Sequence, residues 1–257
     1  MKPDIDFHIA RDQERKKTLF LESVICMSIG MIARVFYCWK YFVPVRDSYD
    51  YEEYIKQWIA YKTIPEDALF PPLGPFILRI PALYFGTDII KGGIIVNVLL
   101  GLCFISVIIM LSREITSSEY AAVCSGLLAA THPTLVYYSC QLLRENTFLL
   151  FAGLAALSAI RYIKFKSPNR FLIVFTAFFA VLSCMCRHEG IELIVLFGLL
   201  FFLIPRQRKH WGRIRTVSLF VLSCLVSVII TSAAIGISAD FYASYPAIFE
   251  KYLNPEL

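Results

Sequence analysis

The residues best suited to chemistry in this chain are few, and they sit where apolar runs end. Asp47 lies within residues 43–75, VPVRDSYDYEEYIKQWIAYKTIPEDALFPPLGP, the one long polar interruption of a hydrophobic sequence. A carboxylate just beyond the end of a membrane helix can accept a proton from a hydroxyl at the water–lipid boundary. The competing reading of Asp47 is an ordinary loop acid or a helix cap. Arg144-Glu145 and the triplet Arg187-His188-Glu189 occupy similar steps between later apolar runs. Polar groups are cheapest at helix ends, so anchoring and salt bridging compete with a binding role for both groups. Arg34 is different, because it lies inside an apolar run. An ionisable residue at depth faces protein or water, so Arg34 either snorkels, pairs structurally, or lines a cavity opening toward the 43–75 loop. His132 precedes Pro133 at a helix end, where a histidine can simply satisfy backbone groups.

These residues need a membrane scaffold to bring them together, and the composition supplies one. Hydrophobic residues make up 58% of the 257, and the mean hydropathy of +0.63 is far too high for a soluble domain. The expectation is an all-α polytopic membrane protein forming a single domain over residues 1–257. The net charge of +5 does not point to nucleic acid, because the basic residues cluster between apolar runs, where they set topology. Eight cysteines lie mostly within apolar runs and lack a C-x-x-C pattern, which reads as packed thiols rather than a disulfide framework or zinc site. Neither a G-x-G-x-x-G nor a P-loop is present, so a nucleotide site of the usual kind has no support.

The apolar runs predict about seven transmembrane helices: 18–42, 89–111, 120–138, 147–160, 171–186, 191–204 and 216–237. The third is interrupted at His132-Pro133, where proline kinks a helix or starts a new turn. Residues 71–86, PPLGPFILRIPALYFG, are too short and too broken by proline to span, and read as an interfacial or re-entrant helix. In the first loop, Tyr51, Tyr54, Ile55, Trp58 and Ile59 recur at helical spacing, with Glu52, Glu53, Lys56 and Gln57 between them. That pattern predicts a juxtamembrane helix with its aromatic residues at headgroup depth, capped by Asp50 with Glu53 three residues on. With the N-terminus in the cytoplasm, segments 1–17, 112–119, 161–170 and 205–215 hold most of the lysines and arginines on one side, as the positive-inside rule requires. The loop 43–88, Arg144-Glu145, Arg187-His188-Glu189 and the tail 238–257 then share the opposite, extracytoplasmic face.

This ordered set of features resembles the opening of the GT-C glycosyltransferases, in particular the protein mannosyltransferase and aminoarabinose transferase relatives. The matching residues are Asp47, the helix from Tyr51, Pro71-Pro72-Leu73, Phe85-Gly86, His132-Pro133 with Arg144-Glu145, and Arg187-His188-Glu189. Asp47-Ser48 stands where those relatives commonly carry an Asp-Glu pair, and they usually continue into further spans. The resemblance implies transfer of a sugar from a polyprenyl-phosphate donor to a hydroxyl of a lipid, glycan or protein acceptor, with inversion, on the extracytoplasmic side. It implies Asp47 as general base, and Arg187, Arg144 and His188 at the donor phosphate. Guanidinium suits that role because it pairs bidentately with phosphate oxygens and offsets the charge that grows on the leaving group. Glu145 and Glu189 would hold the arginines or contact sugar hydroxyls, with Arg34 in support. Some relatives use a divalent ion and bring several carboxylates to it; Asp47 has no comparable ligand set, so no cofactor is expected. Two other readings remain open: a small polytopic transporter or lipid flippase, and a non-catalytic, truncated member of the same family.

Overall fold

The computed structural model describes the backbone of residues 3–62, 64, 71–164, 169–203 and 210–237, with side chains other than those of residues 3–16, 19, 210 and 211. The tail 238–257, the loop acids Glu66 and Asp67, and the basic residues Arg206, Arg208 and Lys209 lie outside the described residues. Everything regular among the described residues is helical: α1 (Pro3–Tyr41), α2 (Arg46–Tyr61), α3 (Leu73–Leu78), α4 (Ile80–Phe85), α5 (Ile89–Thr116), α6 (Glu119–Thr131), α7 (Pro133–Ser139), α8 (Glu145–Lys164), α9 (Phe171–Cys184), α10 (Gly190–Leu203) and α11 (His210–Ile235).

Four of these are long and apolar enough to cross a bilayer: residues Phe20–Tyr41 of α1, all of α5 and α8, and Gly212–Ile235 of α11. The shortest of the four has 20 residues, and at 1.5 Å per residue that matches a hydrocarbon core of about 30 Å. α9 and α10 are apolar but have 14 residues each, a rise of about 21 Å. The interrupted third run resolves into two helices, since Pro133 occupies the first position of α7 and His132 is extended, with φ −61° and ψ 122°. A residue before proline is pushed out of the helical region, so α6 has to stop there. Large apolar side chains face outward on several helices, among them Trp39, Phe20, Leu128, Ile191 and Ile229, as they do where the surrounding solvent is lipid.

α5 is the central post, packing against α1, α6 and α8, while α9 packs against α8, α10 and α11. The larger apolar core joins α8 through α11 with Tyr54, Trp58 and Leu73 from the loop before α5. α2 is therefore held by protein. Tyr51, Tyr54, Ile55 and Trp58 are buried, and the guanidinium of Arg79 lies 4.1 Å from the Trp58 ring centroid and 4.5 Å from that of Phe76. The expected helix is present, and its apolar stripe is buried in a protein core. Its start is corrected. The helix begins at Arg46 with Val45 at its N-cap, so Asp50 lies inside it and caps nothing. A distant residue replaces the local cap: Gln141 Oε1 accepts the Val45 amide and the Ser48 hydroxyl, each at 3.2 Å.

Candidate active site

Two turns at one end of the bundle carry most of the ionisable groups singled out above. Arg144 and Glu145 open α8, while Arg187, His188 and Glu189 form the turn between α9 and α10. The fold brings them together. Arg187 Nη2 lies 2.7 Å from Glu189 Oε1, Nε donates to Glu189 Oε2 at 3.2 Å, and Nη1 reaches Glu145 Oε1 at 3.5 Å. The fork is thus gripped by one carboxylate from its own turn and one from α8, and it also lies 5.7 Å from the Phe148 ring centroid. The turn is short because Gly190 folds back onto the end of α9; a Cβ at Gly190 would collide with the Cys184 backbone and lie 2.7 Å from the Ser183 carbonyl carbon.

The Pro-Pro-Leu segment stands between these two turns. The Leu73 amide donates to the Met185 carbonyl at 3.1 Å. One residue later, Gly74 packs so closely on α8 that a Cβ there would lie 2.8 Å from Arg144 Cβ. The start of α3 is a strut that touches the arginine-bearing ends of both α8 and α9.

Electrostatics join the cluster to α2. The Tyr51 phenol is buried, and burial pushes its proton affinity well above the tyrosine range; Arg144 and Arg187 oppose that shift, and Glu145 adds to it. Burial first, and then Arg144, hold His188 below the usual histidine range, against the pull of Glu189. The hydrogen bonds from Arg187 hold the Glu189 carboxyl at about 2. The site therefore presents two guanidinium groups, two carboxylates, an imidazole that favours its neutral form, and a phenol that keeps its proton. Asp47 is exposed in the first turn of α2, one turn before Tyr51 on the same helical stripe, and it makes no ion pair among the described residues. Nor does any group of three or more His, Cys, Asp or Glu side chains there gather to hold a metal ion.

The remaining sequence candidates sit elsewhere. His132 is exposed between α6 and α7, where its amide donates to Leu128 and its carbonyl accepts from Val136. Arg34 is 1% exposed, which rules out snorkelling, and its guanidinium donates to Ser139 Oγ at 2.8 Å, Gly30 O at 3.0 Å and Ala130 O at 3.2 Å. Ser139 leads to a buried polar network that the residue types alone did not reveal. Asn146 Nδ2 donates to Ser139 Oγ and to the Asn97 carbonyl, while Asn97 Nδ2 donates to the carbonyls of Gln141 and Leu143, each at 2.6 Å. Gln141 then clamps residues 43–48 through Val43 O, the Val45 amide and Ser48 Oγ. The network fixes the loop that ends in Arg144-Glu145 and ties it to the start of α2, so it sets the position of Asp47 relative to the arginines. Three side-chain amides within or beside apolar runs were the visible signal, because an amide in hydrocarbon must find partners.

No curated protein matches the chain. The sequence profile of the dolichyl-phosphate-mannose-protein mannosyltransferase family matches residues 70–235. That stretch covers well over half of the chain, runs from the Pro-Pro-Leu strut to the end of α11, and takes in both arginine-bearing turns while leaving out α2 and Asp47. With its long apolar helices, the chain is an integral-membrane protein of the glycosyltransferase kind that draws on polyprenyl-phosphate sugars, and it belongs to the dolichyl-phosphate-mannose-protein mannosyltransferase family.

Proposed function

We propose that the chain transfers a sugar from a polyprenyl-phosphate donor to an acceptor hydroxyl on the extracytoplasmic side of the membrane, inverting the anomeric centre. The observation that carries this reading is the convergence of Arg144-Glu145 and Arg187-His188-Glu189 on the Pro-Pro-Leu strut. Arg187 meets Glu189 through two nearly parallel N–H···O bonds, which is the geometry a guanidinium presents to a phosphate. The Glu189 side chain is 52% exposed, so it is the partner that can yield when a phosphate arrives, while Glu145 keeps Arg187 in place. Arg144 adds the second charge. Neutral His188 supplies a hydrogen bond without competing for the anion.

In the reaction, the acceptor oxygen forms a bond to the anomeric carbon as the bond from that carbon to the phosphate oxygen breaks. The electron pair leaves on the polyprenyl phosphate, whose growing charge the two arginines offset. Asp47 takes the proton of the acceptor hydroxyl. Its exposed position, at the outer end of α1 and on the stripe that leads to Tyr51, supports that role. In this reading the chain is a single membrane domain with seven crossings: α1, α5, α6 with α7, α8, α9, α10 and α11. A cytoplasmic N-terminus puts the basic segments inside.

The test is transfer of labelled mannose from polyprenyl-phosphate mannose to lipid, glycan and Ser/Thr-peptide acceptors by the purified chain. Transfer lost in Arg187→Ala and in Asp47→Asn supports the assignment. Undiminished transfer in Asp47→Asn removes Asp47 as base. Absence of transfer together with movement of the labelled lipid across liposome bilayers replaces the whole reading with that of a flippase.

A further inference from the structure

Two cysteines far apart in the sequence meet where the C-terminal end of α1 packs against α7. Cys38 lies in the last turn of α1, and Cys140 follows α7 directly, at its C-cap. Both are free thiols in the structure, and the two thiols meet in a hydrogen bond. Cys140 Sγ also donates to the Arg34 carbonyl at 3.4 Å, and the Cys38 backbone hydrogen-bonds the same sulfur. Contacts on either side fix the register. Arg34 Nε donates to Ser139 Oγ at 2.8 Å, and the Tyr37 and Tyr137 rings meet edge to face with centroids 6.3 Å apart. Arg34, Tyr37 and Cys38, spaced by three and four residues, form one stripe of α1. That stripe is laid against residues 137–140.

A thiol is a weak donor, so two neutral thiols in contact contribute little as a hydrogen bond. What the contact supplies is geometry. A disulfide needs Cβ atoms about 3.5–4.5 Å apart, and side chains whose sulfurs already touch come within a small adjustment of that. The exposure of the two differs, since Cys38 is half-buried and Cys140 buried, so Cys38 is the sulfur an oxidant reaches first. Disulfides form and persist outside the reducing cytosol, and the orientation given above turns this end of α1 to the extracytoplasmic side. A single bond between distant segments leaves no spacing pattern in the sequence, which is why the cysteines read there as packed thiols.

We propose that Cys38 and Cys140 are a disulfide site, oxidised in the protein's own membrane and stapling α1 to the turn that carries Gln141. The staple rests on the extracytoplasmic placement in the reading above. The oxidant is a small disulfide or a protein disulfide carrier. The Cys38 sulfur attacks one of its sulfurs and releases the other as a thiol. Cys140 then displaces the second, so that two electrons and the two thiol protons end on the oxidant and one S–S bond joins the helices. Gln141, the next residue, holds the Val43 carbonyl, the Val45 amide and the Ser48 hydroxyl. The bond thus adds a covalent tie to a clamp made of hydrogen bonds, and it closes a loop of about 100 residues, long enough to restrict the unfolded chain strongly.

Membranes holding the full chain are dissolved in denaturing detergent with N-ethylmaleimide, and the linked peptides are mapped by mass spectrometry. The expected result is that Cys38 and Cys140 escape the reagent as one linked pair while the remaining cysteines are alkylated. In the purified chain, reduction with dithiothreitol lowers Tm by about 5 °C or more, and oxidised glutathione restores it. Neither reagent moves the Tm of the Cys38→Ala, Cys140→Ala double variant. Alkylation of all eight cysteines overturns the proposal; if oxidised glutathione then links the pair in mild detergent, it is the extracytoplasmic placement that has failed. Linkage of a different pair, or glutathione left on Cys38, overturns the geometry, and a linked pair whose reduction leaves Tm unchanged overturns the staple. Sugar transfer enters none of these readouts, so a linked pair in a chain that transfers no sugar defeats the donor reading alone.

Discussion

Replacing Gly190 by alanine tests whether the Arg187 turn must hold its place. The added Cβ would meet backbone on every side: the Cα and amide nitrogen of Cys184, and the carbonyl carbon of Ser183 at 2.7 Å. No flexible side chain can move aside, so the turn itself has to lift, by about 1 Å if ordinary carbon contacts are to be restored. Arg187 lies three residues away in the same turn, with its amide bonded to Ser183 and its fork shared between Glu145 and Glu189. A displacement of this size at a charge-positioning group costs about a hundredfold in rate. Overpacking of the α9–α10 junction takes about 1–3 kcal/mol from stability. The control is Gly198→Ala on α10, where the nearest atom, Phe220 Cε1, is 3.9 Å from the new Cβ. The assay is mannosyl transfer by each variant, read beside thermal unfolding in the same detergent. The expected result is a folded Gly190→Ala chain with a lowered Tm and kcat/KM reduced about a hundredfold, against a Gly198→Ala chain within error of native on both counts. Native transfer by Gly190→Ala would show that the turn does not hold the donor, and would sink the role given to Arg187.

Asp47→Asn should lower kcat by at least about a hundredfold with little change in donor KM, as measured by initial rates over a donor series, because Asp47 is proposed to meet the acceptor and not the phosphate. Asn97→Leu should cost about 3 kcal/mol in chemical unfolding, since the carbonyls of Gln141 and Leu143 lose buried 2.6 Å bonds. Stability should depend on pH through two groups. His188, ordinarily near 6.5, is depressed in the fold, so the unfolded chain binds the proton more readily and Tm falls as pH drops below that value. Glu189, depressed from 4.5 to about 2, contributes stability that is present above 4.5 and lost as pH falls toward 2. His188→Gln should abolish the upper limb of the Tm–pH curve and leave the acid limb.

The all-helical membrane architecture could be read from the sequence because its signal is local: long apolar runs bounded by Lys and Arg, and the break at His132-Pro133. The pairing of Arg187 with Glu145 was also within reach, since both stand at steps between apolar runs on one predicted face. The start of α2 was not. Asp50 with Glu53 looks like a capping box, but the cap comes from Gln141, which no local pattern connects to Val45. The burial of Tyr51 was hidden for the same reason: a stripe that suits a membrane surface equally suits a protein core, and only the presence of α3, α5 and the loop before α8 decides.

The strut formed by Leu73 and Gly74 has a consequence for how the protein is made. It is made well before α8 and α9, so neither the Arg144 nor the Met185 partner exists when it leaves the ribosome, although Arg79 beside it can already meet Trp58 of α2. The charged site can be completed only once α9 has been made, and a chain halted before α9 lacks the Met185 carbonyl to which the Leu73 amide donates.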